Sequence, residues 1–161
     1  MPTEQQVLDA LAQNVAYNLE HQHDWAQVTI HPNSPRPVLF GLPPKRLYVH
    51  PDEQTAAIKA EKEMNAPIVQ TPEFEWVLPT HINEKVSPSE FAAVFDAIEA
   101  VPPGHLPEDE EGDEDFGEAY AEWKRWKGPL RNKRMLLATV QDDSTVTYYI
   151  IHDGLVKPRQ N

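Results

Sequence analysis

Apolar residues at the start of the chain recur at helical intervals. Val7, Leu8, Leu11, Val15 and Leu19 lie mostly three or four apart, and Thr3 with Gln6 stands at capping-box spacing. The pattern predicts an amphipathic helix over 4–21 whose apolar stripe must pack on a neighbour. After Asp24, the run Trp25, Val28, Ile30 predicts a short strand. Pro32, Pro35 and Pro37 break the chain before a second extended piece at 38–40. Past the turn at Gly41, Pro43 and Pro44, residues 46–49 read as a further extended run. Pro51 suits the first helical position, and Asp52 and Glu53 suit the positive end of the helix dipole. A mostly exposed helix with a small buried face follows over 51–64.

Residues 74–78 alternate like a half-buried strand that stops at Pro79. Ser87, Pro88 and Glu90 then combine a capping residue, a first-turn proline and a capping-box glutamate. Phe91, Val94, Phe95 and Ile98 fall on one face, so a core-facing helix over 88–100 is expected. Residues 102–118 are proline-rich, then acidic, with too little apolar surface to offset the entropy of ordering; they read as a loop. Phe116, Tyr120 and Trp123 predict a short aromatic helix before Gly128 and Pro129. Two nearly continuous apolar runs, 135–140 and 145–151, flank the acidic turn 141–144 and predict a β-hairpin needing cover on both faces. These elements describe one α/β domain over 1–161, of the α+β kind. It ends in the hairpin.

The 161 residues suffice for one real core, and 16 prolines imply long, stiff connections. The formal net charge of −12 argues against a free-standing nucleic-acid binder, because phosphate affinity rests on clustered Lys and Arg. Eight of the 26 acidic residues lie within 108–118, however, so the rest of the chain carries only −4. With no cysteine, disulfides and thiolate metal sites are excluded, and a reducing compartment fits. The first residues lack the basic start and apolar run of a signal peptide, and no stretch approaches the length of a membrane span. A soluble intracellular protein with no membrane partner is the expectation.

Candidate chemistry is sparse. His21 and His23 form an H-x-H pair, but at a helix end the two side chains diverge and no nearby ligand completes a metal sphere. Tyr48, His50, His81, His105, Tyr148, Tyr149 and His152 could supply acid and base for metal-free RNA cleavage if the fold gathered them, though no spacing signature does so. The six glycines form no nucleotide-cradling motif, and no cofactor is expected. Lys124, Arg125, Lys127, Arg131, Lys133 and Arg134 make a basic cluster interleaved with Trp123 and Trp126. That mixture contacts phosphates and stacks on bases, or is neutralised by the acidic segment before it. The last strand, with Tyr148, Tyr149, Ile150 and Ile151, is either a sheet edge inviting another chain or buried in its own domain.

The segment 134–161, with its D-S-T-V-x-Y-Y core at 143–149, D-G-L at 153–155 and terminal P-R-Q-N, resembles the tail of the smallest subunit family of the tRNA-splicing endonuclease, Sen-fifteen. Residues 36–54 and 75–81 resemble segments of fungal members. The resemblance implies a splicing-endonuclease-type α+β domain, with a mixed, largely antiparallel sheet and flanking helices, in a nuclear heterotetramer of two catalytic and two structural chains that removes introns from precursor tRNA. It implies that Asp142 and Asp143 enter a basic cleft of another subunit, and that Tyr148, Tyr149 and Ile151 form a side-by-side strand contact. An isolated chain would then be aggregation-prone or homodimeric, because its uncovered apolar edge seeks a substitute partner. Catalytic relatives use a tyrosine, a histidine and a lysine; Lys133 approximates the lysine, but no Tyr-then-His pair stands at suitable spacing. The implied role is structural, with no catalytic residue. The alternative is a metal-independent endoribonuclease acting through Tyr and His.

Overall fold

The computed structural model describes residues 1–31, 34–68, 71–104, 117–127 and 131–154. Most of the acidic segment, with His105 and Phe116, and the tail 155–161 lie outside the described residues, as does the side chain of Lys127. The first helix, Glu4–Gln22 (α1), begins with the expected reciprocal cap. Thr3 Oγ1 accepts from the Gln6 backbone N–H at 3.1 Å, and Gln6 Oε1 accepts from the Thr3 N–H at 2.9 Å. Leu11, Ala12, Val15 and Leu19 are its buried stripe, while Val7, a turn before the first of them, remains exposed.

Five strands form one sheet whose spatial order follows the chain: Ala26–His31 (β1), Val38–Leu42 (β2), Glu75–His81 (β3), Arg134–Val140 (β4) and Val146–His152 (β5). Neighbours are antiparallel except β3 and β4, which run parallel. A parallel step needs a crossover; here it carries the helices Pro88–Asp96 (α3) and Glu118–Lys124 (α4). The helix Pro51–Met64 (α2) lies between β2 and β3 in the chain.

Three local expectations change. The extended run 46–49 joins no strand among the described residues, and its Arg46 side chain makes polar contacts with Tyr48 O and Glu53 instead. The third strand continues through Pro79 to His81. Its pairing with β2 ends at Val77, so the missing proline N–H removes nothing from that ladder, while β4 stays in register to His81. The third helix ends at Asp96, not near 100. Its last turn tightens, with the Ala97 N–H reaching both Ala93 O and Val94 O, yet Ile98 still enters the core.

Strand alternation sends side chains to two layers. Val77, Leu136, Ala138 and Val140 meet α1 on one face. Trp76, Leu78 and Met135 meet Val94, Phe95 and Ile98 on the other, where the Trp76 indole N–H donates to Glu99 O at 2.9 Å. A smaller cluster joins α2 to α4, with Ala56, Ala57 and Ala60 leaving room for the indole of Trp123. As the sequence suggested, α2 is mostly exposed.

Candidate functional site

The hairpin pairs in unbroken register from Arg134 opposite His152 to Val140 opposite Val146. Among the described residues this leaves β5 as a sheet edge seven residues long with no proline, lysine, aspartate or glutamate in it. Tyr149 and Ile150 are exposed, at 58% and 39%. The other candidates on the strand are engaged internally. Tyr148 faces α1, donates its hydroxyl to Asn18 Oδ1 at 2.7 Å and packs edge-on to His23; burial raises its phenol pKa. Ile151 packs on the opposite face, against the Phe95 and Met135 cluster. Ile150, next to Ile151 in the strand, points to the opposite face and is the more exposed of the two.

The opposite edge differs. In β1 a bulge lies between Ala26 and Thr29, Gln27 adopts φ +54°, and Thr29 Oγ1 donates to Gln27 O. Such a kink spoils a strand as a template for pairing.

At the hairpin tip, Asp143 Oδ1 accepts from the Thr145 N–H at 3.0 Å, which lowers the Asp143 pKa, and Ser144 takes the left-handed φ of +69°. Asp142 points to His81, whose Nε2 lies 2.9 Å from Oδ1. The His81 backbone N–H donates to Glu84, which holds Arg36 through two oxygens at 2.7 and 2.9 Å. Burial would raise the Glu84 pKa, but the Arg36 bonds and charge, with the His81 N–H, hold it below the ordinary value.

The five basic candidates whose side chains are described do not form one patch. Arg131 and Arg134 are buried with Arg46 against Glu53, Glu73 and Glu75, three cations balanced by three carboxylates. Lys133 donates to Phe95 O at 2.8 Å, satisfying a carbonyl at the end of α3. Lys124 and Arg125 remain exposed on α4 and the 3-10 turn that follows it, Lys124 lying over the Tyr120 ring. The spacing of these residues carried no signal of the buried cluster, because Arg131 and Arg134 meet Glu73 and Glu75 from 56 to 61 residues away in the chain.

Tyr48, His50 and His152 do meet, in a crevice also lined by Glu53, Trp126, Arg131, Asn132 and Arg134. The Tyr48 ring lies against His152 and under the Arg134 guanidinium, while His50 stacks on Trp126. Burial lowers the His152 pKa, helped by the positive charge of Arg134 and by His50; burial raises that of Tyr48 against the opposing pull of Arg134. The crevice holds about 20 Å³, room for one water. Among the described residues no group of three or more His, Asp or Glu could hold a metal ion, and no helix is long and apolar enough to cross a membrane.

Comparison with known proteins matches residues 14–110 and 113–161 to the family described as Sen15 protein. The chain is 62% identical over 158 residues to the probable tRNA-splicing endonuclease subunit tsp-1 of Neurospora crassa, covering 97% of this chain and 68% of that protein. It is 27% identical over 154 residues to the tRNA-splicing endonuclease subunit SEN15 of Eremothecium gossypii, covering 96% and 91%.

Proposed function

The chain belongs to the Sen15 family, and from that premise we propose that it serves the tRNA-splicing endonuclease as a non-catalytic subunit, joined to a catalytic subunit through β5 and the acidic turn. The complex is a nuclear heterotetramer acting on precursor tRNA. The observation that carries the reading is the inequality of the two sheet edges. Strand β1 is bulged, whereas β5 offers seven regular residues without a charged gatekeeper and exposes Tyr149 and Ile150. An added strand would satisfy the free backbone groups of β5 and cover both side chains.

The non-catalytic part of the reading is supported by Lys133, whose ammonium is committed to Phe95 O at the end of α3. Contact with precursor tRNA falls to Lys124 and Arg125, whose charges remain exposed. No metal or cofactor enters this role.

The test is co-expression with the other endonuclease subunits, comparing the full chain with Tyr149→Lys/Ile150→Lys. Both positions are exposed, so the variant should fold, yet its recovery with the complex should fall at least tenfold. Undiminished recovery would refute the β5 interface. Cleavage of intron-containing precursor tRNA by the lone chain, lost on His50→Ala or His152→Ala, would refute the structural role.

A further inference from the structure

The acidic turn is not held by the hairpin alone. His81, at the end of β3, reaches across to it: Nε2 lies 2.9 Å from Asp142 Oδ1, while Nδ1 accepts the Asn83 backbone N–H at 3.1 Å. Accepting at Nδ1 assigns the proton to Nε2, so the neutral ring donates to the carboxylate. The ring is therefore fixed at both nitrogens. Its base is anchored as well, because the His81 N–H binds Glu84, which grips Arg36, and Arg36 also donates to Pro79 O at 2.8 Å. The Asp142 side chain is still 82% exposed.

We infer that His81 is a positioning residue for partner docking: it holds Asp142 by Oδ1 and presents Oδ2 outward to a guanidinium or ammonium group of the neighbouring subunit. This rests on the reading that the acidic turn docks in a basic cleft, and it adds the residue that shapes the turn for docking. A free aspartate must give up rotamer freedom when it is bound; one already held by His81 has given it up beforehand. Asp143 needs no such help, since it is tied to its own turn through the Thr145 N–H.

The test measures affinity between the full chain and the purified remaining subunits, using His81→Leu, His81→Gln, Asp142→Asn and the Asp142→Asn/Asp143→Asn pair. Glutamine places an N–H donor near the position of Nε2, whereas leucine provides none. His81→Leu should weaken binding about three- to tenfold, with His81→Gln close to the unmodified chain. Far-ultraviolet circular dichroism and melting temperature should be unchanged in both, because His81 is partly exposed at a strand end. If His81→Leu binds normally while Asp142→Asn is weakened, the positioning role is wrong and the docking reading stands. If His81→Gln is as weak as His81→Leu, the donated bond is not what matters and the inference falls. If the doubly neutralised turn binds normally, the docking reading itself fails.

Discussion

Arg134 on β4 and Glu75 on β3 form a forked ion pair in the interior, with Nη2 at 2.6 Å and Nε at 3.0 Å from the same Oε1, and both side chains under a tenth exposed. Removing one member strands the other. Glu75→Ala leaves Arg134 and Arg131 short of a carboxylate and should cost about 3–5 kcal/mol in urea unfolding. A paired apolar replacement, Glu75→Leu/Arg134→Met, should cost clearly less, because no unmatched charge remains at that pair.

His152 makes stability depend on pH. Burial, then the charges of Arg134 and His50, hold its folded pKa below the ordinary 6.5. As pH falls, the unfolded chain takes up this proton first, so the neutral ring's contribution is complete above about pH 6.5 and is lost as pH falls through the folded value. Melting temperatures between about pH 7.5 and 5.5 should therefore fall less steeply for His152→Phe than for the unmodified chain.

An open β5 edge should find a substitute when other subunits are absent. Sedimentation velocity of the purified chain should show a concentration-dependent dimer, and Tyr149→Lys/Ile150→Lys should be monomeric at the same concentrations. Its unfolding free energy should change by no more than about 0.5 kcal/mol, the usual range for exposed positions.

The basic residues should separate into two classes. Lys124→Ala/Arg125→Ala should weaken precursor tRNA binding by the assembled complex and reduce its salt slope by roughly 2, without altering stability. Lys133→Met should cost about 1.5 kcal/mol of stability, from the lost charged bond to Phe95 O, and leave the salt slope unchanged.

The elements that the sequence announced clearly are those stabilised by near neighbours in the chain. Thr3 with Gln6, Ser87 with Glu90, and Pro51 with Asp52 mark helix starts because capping groups act within one turn. The hairpin was legible for the same reason, as two apolar runs separated by a short polar turn. The extended run 46–49 did not become a strand, because among the described residues no strand lies beside it to complete a ladder. Pro79 suggested an end to β3, but its effect depends on where the β2 ladder stops, which no local pattern carries.

The candidate site was legible as a strand and a turn, and no further. Sequence by itself determined the family, the helix caps, the apolar hairpin and the charge imbalance of the chain, all properties of residues and their immediate spacing. Tertiary structure decided which charges face solvent, sending Arg131 and Arg134 inward to Glu73 and Glu75 and leaving Lys124 and Arg125 outside. It also decided that Ile150 is exposed while Ile151 packs, and that His81 reaches Asp142 sixty-one residues away. Burial and pairing depend on what the fold brings alongside a residue, and β3 meets β4 from far along the chain.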